Sequence, residues 1–120
     1  MDQSAVIGAV ILIGLIIYGY SKMIFSGKSA GKLREILPRA LVVDVRTVAE
    51  FRSGHFTGAM NVPVEKIAKS ANRLGDKVTP KIIYCATGSR ARQAVRIMKS
   101  MGFSSVYIGG TLAQMQKLSA

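Results

Sequence analysis

The chain has 120 residues, enough for one modest domain, and a formal net charge of +11 from 17 Lys and Arg against 6 Asp and Glu. It holds one cysteine, Cys85, and one histidine, His55. That count excludes an internal disulfide framework and a Cys/His zinc site, so no metal and no cofactor is expected, and a lone free thiol suits a reducing compartment.

Residues 1–4 read as a short N-terminal tail. Gln3 to Ser21 is a run of 19 uncharged residues. As a helix this run is about 28 Å long, close to the bilayer's hydrocarbon core of about 30 Å. Residues 5–25 (Ala5 to Phe25) are therefore predicted to form a transmembrane helix. Lys22 would snorkel to the interface, and Tyr18 and Tyr20 would stand in an aromatic belt. The positive n-region of a cleavable signal peptide is missing, and no Ala-x-Ala site follows the run. No Lys or Arg precedes the span, whereas Lys22, Lys28, Lys32 and Arg34 follow it. The positive-inside rule then places the C-terminal domain in the cytoplasm, in a single-pass protein of which a bacterial inner membrane is the simplest host. The positive surplus reads as a topology signal and a solvated surface, drawn also to anionic headgroups. No nucleic-acid partner is expected, because no RNA-binding aromatic motif accompanies the charge.

Residues 26–31 (Ser-Gly-Lys-Ser-Ala-Gly) have the composition of a flexible linker, leaving 32–120 as the folded domain. Lys32 to Leu37 is a short helix by pattern, closed by Pro38. Leu41 to Val45 is a short apolar run of the buried-strand type. Thr47 is placed to cap a short helix, with Glu50 completing a capping box. Met60 to Val62 is a strand closed by Pro63. Val64 to Leu74 has helical spacing, with Val64, Ile67, Ala68, Ala71 and Leu74 on one face. Lys81 to Cys85 is the next strand. Ser89 to Met101 is a helix with Ala91, Ala94, Val95 and Met98 as its apolar stripe, stopped by Gly102. Ser105 to Ile108 is the last strand, followed by Gly109-Gly110 and a helix over Leu112 to Leu118. This alternation predicts an α/β fold with a mainly parallel sheet covered by helices on both faces. Such sheets place their sites beyond the carboxyl ends of strands, where Asp44 and Cys85 both fall.

Cys85 ends a strand, a small-residue loop turns, and a helix begins. That arrangement exposes a thiol and surrounds it with backbone N–H groups. The segment Asp44-Val45-Arg46-Thr47, then Glu50-Phe51, Gly54-His55 and Gly58-Ala59-x-Asn61-Val62-Pro63, resembles the first signature of rhodanese domains. Cys85 to Arg90 resembles their active-site loop, and Gly109-Gly110 also fits. The resemblance covers roughly residues 32 to 118. It implies a compact α/β fold and a sulfurtransferase that cycles through a cysteine persulfide. Many family members carry a basic residue directly after the cysteine, where this chain has Ala86. The Cys-x4-Arg spacing is the form associated with sulfur; related phosphatases use a loop one residue longer.

On this reading Cys85 is the nucleophile. A thiolate is the reactive form, and helix N-termini and cations favour it. It would take sulfane sulfur from a small anionic donor, thiosulfate or a persulfide. It would then pass that sulfur to cyanide or to a thiol, a protein thiol included, by a two-step scheme. Ala86, Thr87, Gly88, Ser89 and Arg90 would bind the donor, their N–H groups forming an anion cradle. Gly88 permits unusual backbone geometry, and Ser89 is placed to cap the helix. Arg90 would hold the donor's oxyanion, with an internal ion pair to Asp44 or Glu50 as its other reading. Arg92 and Arg96 read as a solvated face. Asp44, Arg46, Glu50 and His55 would support the site. Asp44 would steady the loop or Arg46, Arg46 and Glu50 stand at pairing distance along a helix, and His55 packs before the Gly58-Ala59 turn. Two other readings stay open: a persulfide relay to a protein partner, and a non-catalytic binding or sensing module.

Overall fold

The computed structural model describes residues 2–119, with the side chains of 20–29 left aside. The chain divides into two compact units, Met1–Lys32 and Leu33–Ala120. The first helix, α1 (Gln3–Ile36), contributes to both. In the first unit its apolar side chains face every direction and are exposed, Ile7, Val10, Ile13 and Leu15 among them. Among the described residues no helix is long and apolar enough to cross a membrane. The described side chains of α1 stop at Gly19 and resume at Ala30. The side chains at the end of the expected span, 20–25, and over the first part of the expected linker, 26–29, therefore lie outside the described residues; Ala30 and Gly31 are part of the helix rather than a linker.

In the second unit, Pro38 does not close a separate helix. α1 ends at Ile36, and Pro38 sits inside a following 3-10 turn, Leu37–Arg39. Four strands follow: β1 (Leu41–Asp44), β2 (Met60–Asn61), β3 (Lys81–Cys85) and β4 (Val106–Thr111). The helices between and after them are α2 (Val48–Arg52), α3 (Ser89–Ser100) and α4 (Leu112–Leu118). The sheet order is β2-β1-β3-β4 and every pairing is parallel, as the alternation of elements predicts.

Side-chain alternation sorts the core into two layers. Val43, Val45, Ile83 and Cys85 face one side, with Ala91, Ala94, Val95 and Met98 of α3. Val42, Ile82 and Tyr84 face the other, with Leu33 and Ile36 at the end of α1 and Met115 of α4. The four buried residues of α3 are the predicted stripe. Fully burying a side chain the size of Met98 contributes about 1.5–3 kcal/mol, so this stripe fixes α3 over the end of β3.

Residues 64–74 depart from the predicted single helix. They form two 3-10 turns, Val64–Lys69 and Ala71–Arg73, divided at Ser70. With three residues per turn, 64, 67 and 70 share a side, so Ser70 is buried with Ile67 while Ala68 and Ala71 are exposed. β4 is longer than predicted and takes in Gly109 and Gly110. A Cβ on Gly109 would stand 2.4 Å from Met115 Sδ and 2.8 Å from Ile82 Cγ2, so glycine is what lets α4 pack this close.

Candidate active site

β1 and β3 are adjacent, which brings Asp44 and Cys85 to one end of the sheet. Asp44 is fully buried and so nearly is Arg46. Arg46 donates its backbone N–H to Asp44 Oδ1 at 2.9 Å and its Nη2 to Oδ2 at 2.7 Å. The same Nη2 donates to the Gly54 carbonyl at 2.7 Å, and the guanidinium lies 5.8 Å from the Tyr84 ring centroid. Hydrogen bonding to Asp44 is the first cause of the raised pKa of Arg46. Tyr84 Oη accepts the Phe56 N–H at 2.9 Å. Burial, then the nearby Asp44 carboxylate, pushes the Tyr84 phenol up to about 12. Asn61 donates its amide to the carbonyls of Asp44 and Arg46, 3.0 Å each. These bonds tie the turn before α2 and the 54–56 segment to the centre of the sheet.

Thr47 caps α2 as predicted. Its hydroxyl accepts the Glu50 N–H at 3.2 Å, and Glu50 Oε1 accepts the Thr47 N–H at 3.1 Å. Glu50 does not pair with Arg46, whose guanidinium is turned inward to Asp44. It pairs with Arg90 instead: Nη1 donates to Oε1 at 2.6 Å and Nη2 to Oε2 at 3.0 Å. This fork, with help from the Thr47 N–H, lowers the Glu50 carboxyl from 4.5 to about 2. The same hydrogen bonds raise the pKa of Arg90. The two terminal nitrogens that would meet a donor's oxyanion are thus both on Glu50.

Cys85 is the last residue of β3, and its side chain is on the α3 side of the sheet. It is fully buried rather than exposed. The cause is local: the loop turns back over its own sulfur. Gly88 takes φ +92°, a left-handed conformation that L side chains resist, and this aims its N–H at Sγ at 2.9 Å. The Ala91 N–H also points to Sγ, at 3.4 Å. Ala91 was read from the sequence only as a core residue. The signal for its second role is its place in the first turn of a helix, where backbone N–H groups have no partner within the helix. Gly88, not Ser89, is the N-cap of α3; Ser89 is the first helical residue and no side chain caps that end. Ala86, Thr87 and Ser89 are exposed at the rim.

His55 is exposed and stacks on Phe51, with ring centroids 3.7 Å apart. Its Nδ1 lies 2.9 Å from the Phe51 carbonyl, which assigns that nitrogen the proton. His55 therefore serves the end of α2 rather than the sulfur. Among the described residues no group of three His, Cys, Asp or Glu stands together as a metal site would require.

What the site offers is one thiol under two converging N–H groups at a helix start, and concave sets of backbone N–H groups bind anions. The model of the rhodanese-like domain matches residues 29–113. The thiosulfate sulfurtransferase GlpE of Pseudomonas fluorescens is 38% identical over 68 residues, which are 57% of this chain and 62% of that protein. YrkF of Bacillus subtilis, named as a candidate sulfur carrier protein, is 35% identical over 65 residues, 54% of this chain and 35% of that one. The chain thus spans less than two thirds of the length of either relative. A solved rhodanese from E. coli, determined with anions, superposes with a TM-score of 0.60 at 29% identity, over 62% of this chain and 89% of its own. With the family model covering most of the chain, and the parallel sheet and Cys85 loop in place, the chain belongs to the rhodanese-like domain family.

Proposed function

We propose that this chain is a sulfurtransferase that carries sulfane sulfur on Cys85. The observation behind this reading is the pair of N–H groups, from Gly88 and Ala91, aimed at one sulfur. In the first step the Cys85 thiolate attacks the outer sulfur of thiosulfate. A bond forms between Sγ and that sulfur, the sulfur–sulfur bond of thiosulfate breaks, and sulfite leaves with the electron pair. The Cys85 persulfide anion remains, with its charge on the outer sulfur, one sulfur–sulfur bond beyond Sγ. In the second step an acceptor, cyanide or a thiolate, attacks the outer sulfur and the Cys85 thiolate departs. The backbone of Ala86, Thr87, Gly88, Ser89 and Arg90 frames the donor. Asp44, Arg46, Glu50 and His55 hold the elements that carry the loop.

Likeness to YrkF supports a second reading, in which the acceptor is a protein thiol and the chain is a relay. We also propose that α1 anchors the chain in a membrane, with the sulfur site in the cytoplasm. The bare apolar helix over 3–19 and the Lys and Arg that follow it support this.

The test is to incubate the purified full chain with thiosulfate and measure its intact mass. The chain should gain one sulfur atom, cyanide should remove it, and Cys85→Ser should gain nothing. No gain with thiosulfate or with any organic persulfide refutes the sulfur-transfer reading. Fast return of sulfur to a protein thiol but not to cyanide selects the relay.

A further inference from the structure

A cation near Sγ would favour an anionic sulfur donor, and this loop lacks the obvious ones. Ala86 and Thr87 are neutral. Arg46 is buried against Asp44 and Gly54, and both terminal nitrogens of Arg90 are on Glu50. Arg92 remains. Its backbone N–H donates to the Gly88 carbonyl at 3.0 Å, which places it one helical turn beyond the glycine. Long side chains on a helix lean back toward its N-terminus. Arg92 does so: its Nη1 stands 3.3 Å from where a Cβ on Gly88 would be. Gly88 is the residue whose N–H holds Sγ at 2.9 Å. The covalent bonds of one glycine therefore separate the guanidinium from the group that binds the sulfur, within about 9 Å of the sulfur itself.

Arg92 is exposed, and its side chain has no hydrogen bond or ion pair among the described residues. The first turn of α3 contains no acidic residue. With Glu50 already taken by Arg90, a second guanidinium over the positive end of the helix is a poor arrangement for the empty site and a good one once an anion arrives. We propose that Arg92 is the residue that recognises the anionic end of the sulfur donor, while Arg90 is a positioning residue that ties the loop to α2. This rests on the sulfur-transfer reading for the identity of the anion. It extends that reading by assigning donor selection to a side chain at the second turn of the helix, outside the Cys85–Arg90 loop.

Cys85 is the only cysteine, so its alkylation can be followed by mass without ambiguity. The test compares the full chain's rates with iodoacetate, an anion, and with neutral iodoacetamide. Arg92→Gln should lower the iodoacetate-to-iodoacetamide ratio severalfold, the loss expected for one exposed guanidinium within about 9 Å of the sulfur. Arg92→Lys should keep part of the ratio. Arg96→Gln, one turn further along α3, should leave it unchanged, and salt should erase the difference between wild type and Arg92→Gln. An unchanged ratio in Arg92→Gln overturns the proposal, as does an equal fall in Arg96→Gln. So does failure of both reagents to reach Cys85 in the wild type. With thiosulfate as the probe, Arg92→Gln should raise KM about tenfold with little change in kcat. A wild-type chain that takes no sulfur from thiosulfate, yet loses its anion preference in Arg92→Gln, would retire the sulfur reading and keep Arg92 as the anion contact.

Discussion

Replacing Glu50 with Gln removes one charge and almost nothing else. Glu50 has two roles in the structure. Its Oε1 accepts the N–H and hydroxyl of Thr47, 3.1 Å each, and its two oxygens take the fork of Arg90 at 2.6 and 3.0 Å. Glutamine serves a capping box as glutamate does, so Glu50→Gln leaves the helix start and isolates the ion pair. The two side chains are 31% and 35% exposed, so solvent screens their attraction. For a bidentate pair so placed, a contribution of about 1 kcal/mol is reasonable, or about 4–8 °C in Tm for a domain of this size.

The pH dependence carries a sign that can be checked. Arg90, then the Thr47 N–H, holds Glu50 at about 2 against 4.5 when free. A carboxyl with a depressed folded pKa stabilises the fold above its unfolded value and loses that contribution as pH falls through the folded one. The clamp should therefore be at full strength above about pH 5 and gone near pH 2. Thermal unfolding of wild type and Glu50→Gln, in mild detergent, should differ at neutral pH and converge toward about pH 2. Persulfide formation in the variant should slow severalfold, because Arg90 no longer steadies the loop. Equal Tm values at neutral pH, or a difference that survives at about pH 2, would refute the clamp.

Gly88→Ala should lower stability by about 1–2 kcal/mol, because a Cβ resists φ +92°, and it should cut sulfur uptake more than stability by turning the N–H from Sγ. Intact-mass kinetics beside a denaturation curve separates the two effects. Asp44→Asn leaves the guanidinium of Arg46 buried without a charge partner and should cost about 3–5 kcal/mol, several times the cost of Glu50→Gln; urea midpoints measured side by side test that order. Gly109→Ala puts a Cβ 2.4 Å from Met115 Sδ and should cost about 1–3 kcal/mol, with partial recovery in Gly109→Ala/Met115→Ala.

What was legible in the sequence was local or periodic. The stripe of α3, the strand ending at Cys85 and the Thr47–Glu50 box each sit within a few residues of the features that define them. The equivalent box at Thr111, whose hydroxyl accepts the Gln114 N–H at 3.1 Å, has the same spacing. The two glycines before it read as the end of the strand and mask it. In the 64–74 segment apolar residues at threes and fours fit an α-helix as well as successive 3-10 turns, and the burial of Ser70 with the exposure of Ala68 and Ala71 separates them. Residue spacing suggested Arg46–Glu50 because those residues are four apart. The pair that forms joins Glu50 to Arg90, forty positions on, and it depends on Arg46 being drawn inward by Asp44. No local pattern carries that choice; it follows from which carboxylate is buried.

The first signature of the chain therefore acts on the second without touching the thiol. Asp44 takes Arg46, and that leaves Glu50 unpaired at the first turn of α2. Thr47 fixes Glu50 in one rotamer through the capping box, and the fixed carboxylate accepts Arg90 from α3. Arg90 lies between Gly88 and Ala91, whose N–H groups meet Sγ. A change at Asp44 should thus reach the sulfur through three side chains, while a change at Arg92 should reach it only through the anion that Arg92 attracts. The two are separable by salt: screening weakens the attraction of a free anion to an exposed guanidinium and leaves a buried ion pair nearly intact. A Cys85 alkylation rate that responds to salt in wild type and Asp44→Asn alike, but not in Arg92→Gln, would assign the scaffold to one set of charges and recognition to the other.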